Sequence, residues 1–282
     1  MVENRPWLAF LTHLVLILGV VVVVLPVYLA FVASTRGGND FLSGVVPLLP
    51  GPNLIDNYGQ MLSQGMASSG APPLGMMLFN SLVMALVIAI GKIAISILSA
   101  YAIVYFHFPF RMLAFWLIFV TLMLPVEVRI LPTYKVVADL GMLNSYAGLT
   151  IPLIASATAT FLFRQFFLTV PEELMEAARV DGAGALKFFR DILLPLSRTN
   201  IAALFVILFV YGWNQYLWPL LVTTDTKYYT VVMGIKRMAA VADSDPKWNI
   251  VMAAVILAAL PPVLVIIFMQ RLFVKGLVET EK

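Results

Sequence analysis

From Leu14 to Ala33 the chain runs twenty residues without a charge. A helix of that length covers about 30 Å, the thickness of the hydrocarbon core of a bilayer. Comparable uncharged runs recur, and together they mark six spans at about 12–34, 80–105, 112–127, 147–168, 200–222 and 249–270. Lipid offers no water to satisfy backbone groups, so each span is expected to be helical. Pro26, Pro125, Pro219 and the Pro261-Pro262 pair lie in or near spans, where kinks are tolerated if neighbouring helices or water satisfy the freed carbonyls. The expected fold class is all-α: a polytopic membrane bundle of six transmembrane helices, forming one transmembrane domain over residues 1–282.

Composition supports lipid as the solvent. Hydrophobic residues make up 61% of the 282 and charged residues 12%, against roughly a quarter charged in a soluble domain. The net charge of +3 is scattered among apolar spans and forms no basic stripe, which excludes nucleic acid as a partner. Zero cysteines exclude disulfides, thiolate metal sites and a thiol nucleophile. The first apolar run exceeds the ~7–15 residues of a cleaved signal core, and Glu3 and Arg5 before it cancel, so it is read as a retained span.

The connecting segments differ in character. Residues 35–76 are rich in Gly, Pro, Ser and Asn, with breakers at Gly37-Gly38, Pro50-Gly51-Pro52 and Pro72-Pro73, and read as an extracytoplasmic excursion. Lys135 to Leu143 has an amphipathic pattern suited to the membrane interface. Residues 171–199 mix Arg179, Lys187, Arg190 and Arg198 with Glu172, Glu173, Glu176, Asp181 and Asp191. Placing that loop and both termini in the cytoplasm puts ten basic residues inside and seven outside, in the direction of the positive-inside rule. Trp7, Tyr211, Trp213, Tyr216, Trp218 and Trp248 fit aromatic belts at the interfaces.

Within the 171–199 loop stands Glu176-Ala177-Ala178-Arg179-Val180-Asp181-Gly182, followed after nine residues by Ile192-Leu193-Leu194-Pro195. Pro171 near a helix start, Glu172 and Glu173 in the first turn, and Gly182 where a left-handed residue ends the helix predict a helix, a turn and a second helix. Ala185, Phe188, Phe189, Ile192, Leu193 and Leu196 then recur at helical spacing. On these residues alone the segment is either an interfacial amphipathic loop or a docking element.

The segment resembles the E-A-A-x3-G-x9-I-x-L-P signature of the membrane subunits of bacterial ABC importers, and it matches every fixed position. That resemblance implies a cytoplasmic coupling helix seated in a cleft of a separate ATPase subunit. Ala177 and Ala178 would allow close packing, Gly182 would make the turn, Glu176 and Asp181 would supply anchoring carboxylates, and Ala183 would belong to the same coupling element. The six-span plan, with Asn214-Gln215-Tyr216-Leu217-Trp218-Pro219 in span five, is similar to the smaller permease of the carbohydrate-importer branch. At finer grain, Glu3 to Trp7 and Ser145 to Phe167 are similar to the E-type permeases of sn-glycerol-3-phosphate uptake. The family implies several partners: a homologous permease, an ATPase dimer that binds ATP and Mg, and a periplasmic or lipid-anchored substrate-binding protein. It also implies a bacterial inner-membrane location and no cofactor in this chain.

Gly91-Lys92 lacks the context of a phosphate-binding loop, with Leu86 and Ile93 at the positions that need Gly and Ser or Thr, so ATP hydrolysis is expected on another chain. With only His13 and His107, and no carboxylate cluster within a span, no metal or catalytic site is expected. The candidates for a substrate path are Lys92, Arg129, Asn214 and Gln215. Lys92 sits near the centre of a span, where an ammonium costs about 2.5–3.5 kcal/mol and faces an anionic cargo, a watery cavity or a structural partner. Arg129 contacts that cargo, pairs with Glu127 or meets a lipid headgroup. Asn214 and Gln215 either hydrogen-bond cargo hydroxyls or cap an interrupted helix. A secondary transporter is the rival from another class, but repeat symmetry and midplane carboxylates are not visible. A membrane scaffold would leave the loop signature unexplained.

Overall fold

A computed structural model describes residues 6–41, 44, 47–66, 69–240 and 247–279, without the side chains of Pro6, Leu122, Val126, Glu127 and residues 271–279. Glu3 to Arg5, Lys282, and the side chains of Glu127, Arg271 and Lys275 therefore lie outside the described residues. The regular structure described is helical, as the apolar runs imply, apart from a lone bridge between Met66 and Ala71. In chain order the helices are α1 (Pro6–Ser34), α2 (Leu54–Ser63), α3 (Leu74–Tyr105), α4 (Arg111–Val120), α5 (Val126–Asp139), α6 (Tyr146–Thr150) and α7 (Ala157–Phe167). Then come α8 (Glu172–Val180), α9 (Ala185–Phe188), α10 (Leu194–Leu196), α11 (Arg198–Trp213), α12 (Leu217–Val222), α13 (Val231–Ala239) and α14 (Trp248–Glu279).

The expected spans emerge unequally. Three helices are long and apolar enough to cross a membrane alone: Trp7–Ser34, Leu74–Tyr105 and Trp248–Gln270. Two bent pairs are long and apolar enough only when their members are taken together, Tyr146–Leu153 with Ala157–Phe167 at 45° and Ala185–Leu196 with Arg198–Trp213 at 70°. The expected span 112–127 is instead the ten-residue α4, a 3-10 turn at Thr121–Met123 and a break before α5. Pro125 causes the break, because the residue before a proline is driven out of the helical region, and Leu124 is extended at ψ 114. The stretch from Lys135 expected at the interface is the last turn of α5, where Lys135 pairs with Asp139 at 2.8 Å.

The chain forms two compact units, Met1–Met76 with Gly234–Leu260, and Met77–Met233 with Pro261–Lys282. In the first, Asn57 of α2 is buried and donates to the Ser34 carbonyl (2.9 Å) and the Arg36 carbonyl (2.8 Å), closing the end of α1. Its side-chain oxygen accepts from Asn249 of α14 at 2.9 Å. The free carbonyls of a helix end are thus satisfied by a side chain inside the protein.

In the second unit, Met84 and Ile88 of α3 pack with Val137 of α5, Leu149 of α6, and Trp218 and Val222 of α12. Gly212 makes the crossing of α11 and α3 possible: a Cβ there would stand 2.9 Å from the Ala85 Cα. Trp213 and Trp218 do not form an interfacial belt, as their sequence positions suggested. They are 2% and 4% exposed, and the Trp218 Nε1–H donates to the Gly148 carbonyl at 3.1 Å. A buried indole needs such a partner.

Candidate functional site

Two places in the second unit gather the residues singled out by sequence. The first is the loop that starts at α8. Pro171 stands just before the helix, with Glu172 and Glu173 in its first turn, where carboxylates complement the positive end of the macrodipole. Gly182 ends it at φ +72. The Gly182 N–H donates to Arg179 O (3.0 Å) and the Ala183 N–H to Ala178 O (2.8 Å). This is the paired Schellman arrangement, which satisfies two carbonyls and turns the chain sharply. No atom lies near the Gly182 Cα face, so the demand for glycine comes from backbone conformation and not from crowding.

The six loop residues do not share one role. Glu176, Ala177, Asp181 and Gly182 are exposed, whereas Ala178 is buried and Ala183 is half-buried. Among the described ion pairs, neither Glu176 nor Asp181 takes part. Ala178 and Ala183 face inward onto a cavity of about 240 Å³ that is also lined by Tyr101, Tyr105, Met175 and Phe188. Val180 and Leu186 flank the turn on its outer side, 87% and 78% exposed, an apolar pair that sequence reasoning passed over. Their signal was apolar residues on the polar side of the helical pattern.

Two tyrosines of α3 hold the loop. The Tyr101 hydroxyl donates to the Ala185 carbonyl at 2.8 Å, and the Tyr105 ring meets Phe188 edge-on at 5.4 Å. Beyond them the helix widens into a π-turn over Phe189–Leu193, where the Leu194 N–H reaches back to Phe189 O. Pro195 follows, and a proline can neither donate to a carbonyl four residues back nor fit against it, so a shifted hydrogen-bond pattern just before it is expected. The adjacent Arg190 and Asp191 side chains bond at 2.7 Å, and that hydrogen bond holds the Asp191 carboxyl below its ordinary range.

The second place is a pair of adjoining cavities of about 110 and 640 Å³, both walled by Lys92, Arg129, Ala155 and Tyr211. Lys92 comes from α3, Arg129 and Thr133 from α5, and Tyr211 from α11. Gln215 joins them from the break between α11 and α12. That break has a local cause: Pro219 has no N–H for the Gln215 carbonyl, so α11 cannot continue through it. Gln215 caps the broken end, its amide donating to Tyr211 O at 3.1 Å. Asn214 is exposed and lines neither cavity. Lys92 is only 7% exposed, and its Nζ stands 3.9 Å from the centroid of the Tyr211 ring. This ammonium therefore lies against an aromatic face, an arrangement outside the cargo, watery cavity and structural pair that the sequence suggested. Of the four path residues, the structure thus brings together Lys92, Arg129 and Gln215 and leaves Asn214 apart.

Residues 92–279 match the family described as binding-protein-dependent transport system inner membrane component. The chain is similar end to end to the sn-glycerol-3-phosphate transport system permease protein of Agrobacterium fabrum, 62% identical over 282 residues with 100% of both chains covered. The protein of the same name from Yersinia enterocolitica is 58% identical, again over 100% of both chains. Its fold is also that of a chain in the crystal structure of a bacterial ABC transporter involved in the import of the acidic polysaccharide alginate. There the TM-score is 0.81 at 18% identity, covering 96% of this chain and 98% of the other. With the family spanning the α8 loop and both cavities, and relatives matching to both ends, this chain belongs to the inner membrane components of binding-protein-dependent transport systems.

Proposed function

We propose that this chain is one permease half of an ATP-driven importer of sn-glycerol-3-phosphate. The observation that carries the reading is likeness along the whole length, 62% over all 282 residues, to relatives named for that cargo. A homologous permease supplies the other half of the pathway, and a periplasmic or lipid-anchored binding protein delivers the cargo. A separate ATPase dimer holds ATP and Mg. Its closure drives the coupling loop, and Glu176, Ala177, Ala178, Asp181, Gly182 and Ala183 convert that movement into rearrangement of the spans. The division between exposed Glu176 and Asp181 and inward Ala178 and Ala183 suits a turn that docks on one side and pushes the helices on the other.

In this reading both termini and residues 171–199 are cytoplasmic, six spans cross the membrane, and residues 35–76 lie outside. The cargo path, expected by Lys92, Arg129, Asn214 and Gln215, runs by the three that line the cavities, Lys92, Arg129 and Gln215, and alternating access exposes it to one side at a time. The test is to reconstitute the chain with its expected partners in proteoliposomes and follow labelled sn-glycerol-3-phosphate. ATP-dependent accumulation is expected, and its absence with the complete complex overturns the reading. Reporter fusions after Thr35, Arg111, Asn144, Arg198 and Thr224 should alternate in location, and a cytoplasmic signal from residues 35–76 would refute the topology.

A further inference from the structure

We propose that the groove where α11 begins is a binding site for an anionic glycerophospholipid, its phosphate held by Arg190 and Arg198 and an acyl chain laid along α11 against Met269 of α14. The site serves the leaflet that faces residues 171–199. It depends on α11 and α14 being membrane helices and is independent of the cargo.

The groove encloses about 460 Å³ and has a charged part and an apolar part. Arg190 reaches it from the π-turn Phe189–Leu193 and Arg198 from the first turn of α11. Among the described residues, no carboxylate lines it, and Arg198 takes part in none of the described ion pairs. Arg190 bonds to Asp191 through Nε (2.7 Å) and Nη2 (3.3 Å), which leaves both hydrogens of Nη1 free of that bond. From Lys187 to Arg198 the chain carries three basic residues and one acidic, and no further carboxylate follows until Asp225. The excess positive charge is therefore not cancelled locally. Helix stability does not call for Arg198, because a cation in a first turn opposes the macrodipole, and α8 begins instead with Glu172 and Glu173. A basic residue that only oriented the chain in the membrane could stand anywhere in the loop. These two come from separate elements to one groove.

The apolar part leads away from the charges along a membrane helix. Ile201, Ala202 and Phe205 line it, and the rise from Arg198 to Phe205 is about 10 Å, enough for the glycerol and the first carbons of an acyl chain. The Phe205 ring is held in place by stacking on Phe209 at 6.0 Å. Met269 closes the groove from α14, and its flexible thioether chain adapts to an irregular apolar ligand. A soluble anion would use only the arginines, an apolar helix only the floor. A protein outside the bilayer would reach the charged part alone, whereas an anionic lipid uses both. Basic pockets between membrane helices are where anionic headgroups bind, and the guanidinium fork matches phosphate oxygens. A zwitterionic lipid brings the same phosphate with a cation that the arginines repel, so the groove selects phosphatidylglycerol over phosphatidylcholine.

The experiment places the full chain, with the partners that copurify with it, in phosphatidylcholine nanodiscs containing a minority of phosphatidylglycerol with a photoreactive acyl chain. After irradiation the labelled peptides are mapped by mass spectrometry. Label is expected within residues 194–205 or at Met269, and photoreactive phosphatidylcholine should label there roughly fivefold less or weaker still. The double variant Arg190→Gln, Arg198→Gln should reduce that preference to about twofold or less, while Arg198→Lys, which keeps the charge, should retain most of it. Excess inorganic phosphate or sn-glycerol-3-phosphate should leave the labelling unchanged. Equal labelling by the two lipids, label confined to other parts of the chain, or an unchanged preference in the double variant overturns the proposal. Displacement by either soluble anion, or cross-links from the groove to a copurified protein in place of lipid, overturns it equally. The wild-type labelling and displacement arms need no variant, so they decide the matter even if the double variant does not assemble.

Discussion

The loop at α8 and the Lys92 cavity are built by opposite means. The loop is contiguous: its turn is closed by hydrogen bonds between neighbours, from Gly182 to Arg179 and from Ala183 to Ala178, and its carboxylates Glu176 and Asp181 are exposed. The cavity is assembled from α3, α5, α11 and a helix break, and its central charge is buried. A docking element must present a rigid shape to another chain, which one short stretch can encode. A site that holds a charge inside a membrane protein needs walls on every side, and only several helices can supply them. Damage to the loop should therefore abolish coupling and spare the fold. Damage to the cavity should alter what is carried.

The sharpest break in that contrast would come from the loop. Gly182→Val forces a β-branched residue into positive φ, at about 1–2 kcal/mol placed on the turn itself, and Glu176→Lys reverses an exposed charge. Uptake should fall to background in both while membrane insertion persists, as read by transport and by protein recovered in the membrane fraction. Normal uptake by well-expressed variants would remove the docking role.

A smaller loss is expected at the cavity. Lys92→Met keeps the stem and deletes the charge, removing a charge-assisted contact of about 1.5–3 kcal/mol and lowering sn-glycerol-3-phosphate uptake by roughly ten- to a hundredfold. ATP hydrolysis without cargo should persist in the assembled complex. Collapse of the complex instead would make Lys92 a structural residue, and the contrast between the two regions would fail.

Tyr101 tests the connection between them, since it lies on α3 about two and a half turns beyond Lys92. Tyr101→Phe removes the hydrogen bond to Ala185 O and keeps the ring contact with Phe189. The loss of about 1 kcal/mol should loosen the loop, so that cargo moved per ATP drops by up to roughly fivefold. An unchanged ratio would show that ring packing alone holds the loop. Ser145→Ala serves as a control at a residue that lines neither cavity and lies outside the loop. It deletes the cap that accepts from the Gly148 N–H at 3.0 Å, costs about 1 kcal/mol of stability, and should lower the thermal midpoint with cargo preference intact.

The smallest effect is expected from pH at the loop. The Asp191 carboxyl is held low chiefly by its hydrogen bond from Arg190. A depressed group contributes above its unfolded value, and the contribution is lost only as pH falls through the lower folded value. Because the pair is exposed, salt screens it. Binding of the ATPase to the loop should thus stay flat from neutral pH to about pH 5. A drop across that interval would point to another acidic group at the contact.

How much could be read from the sequence follows the same division. The helical membrane fold was legible because backbone satisfaction in lipid leaves few alternatives for long uncharged runs. The loop was legible because Pro171, Glu172, Gly182 and Pro195 act within a few residues of themselves. The break at Pro125 was harder to read: the proline was visible, but nothing local distinguished a kink from a stop. Likewise, Ala177 and Ala178 are chemically identical neighbours, and only helix orientation sends one outward and the other against the α3 tyrosines.

The sequence by itself determined the solvent, the helices and the shape of the turn at Gly182, each of which depends on short-range chemistry. Tertiary structure alone decided that Lys92 meets Tyr211, that Arg129 shares its cavity, that Gln215 joins them while Asn214 does not, and that Trp213 and Trp218 are core. Those outcomes depend on which faces of distant helices come together. No residue carries that information until the helices have packed.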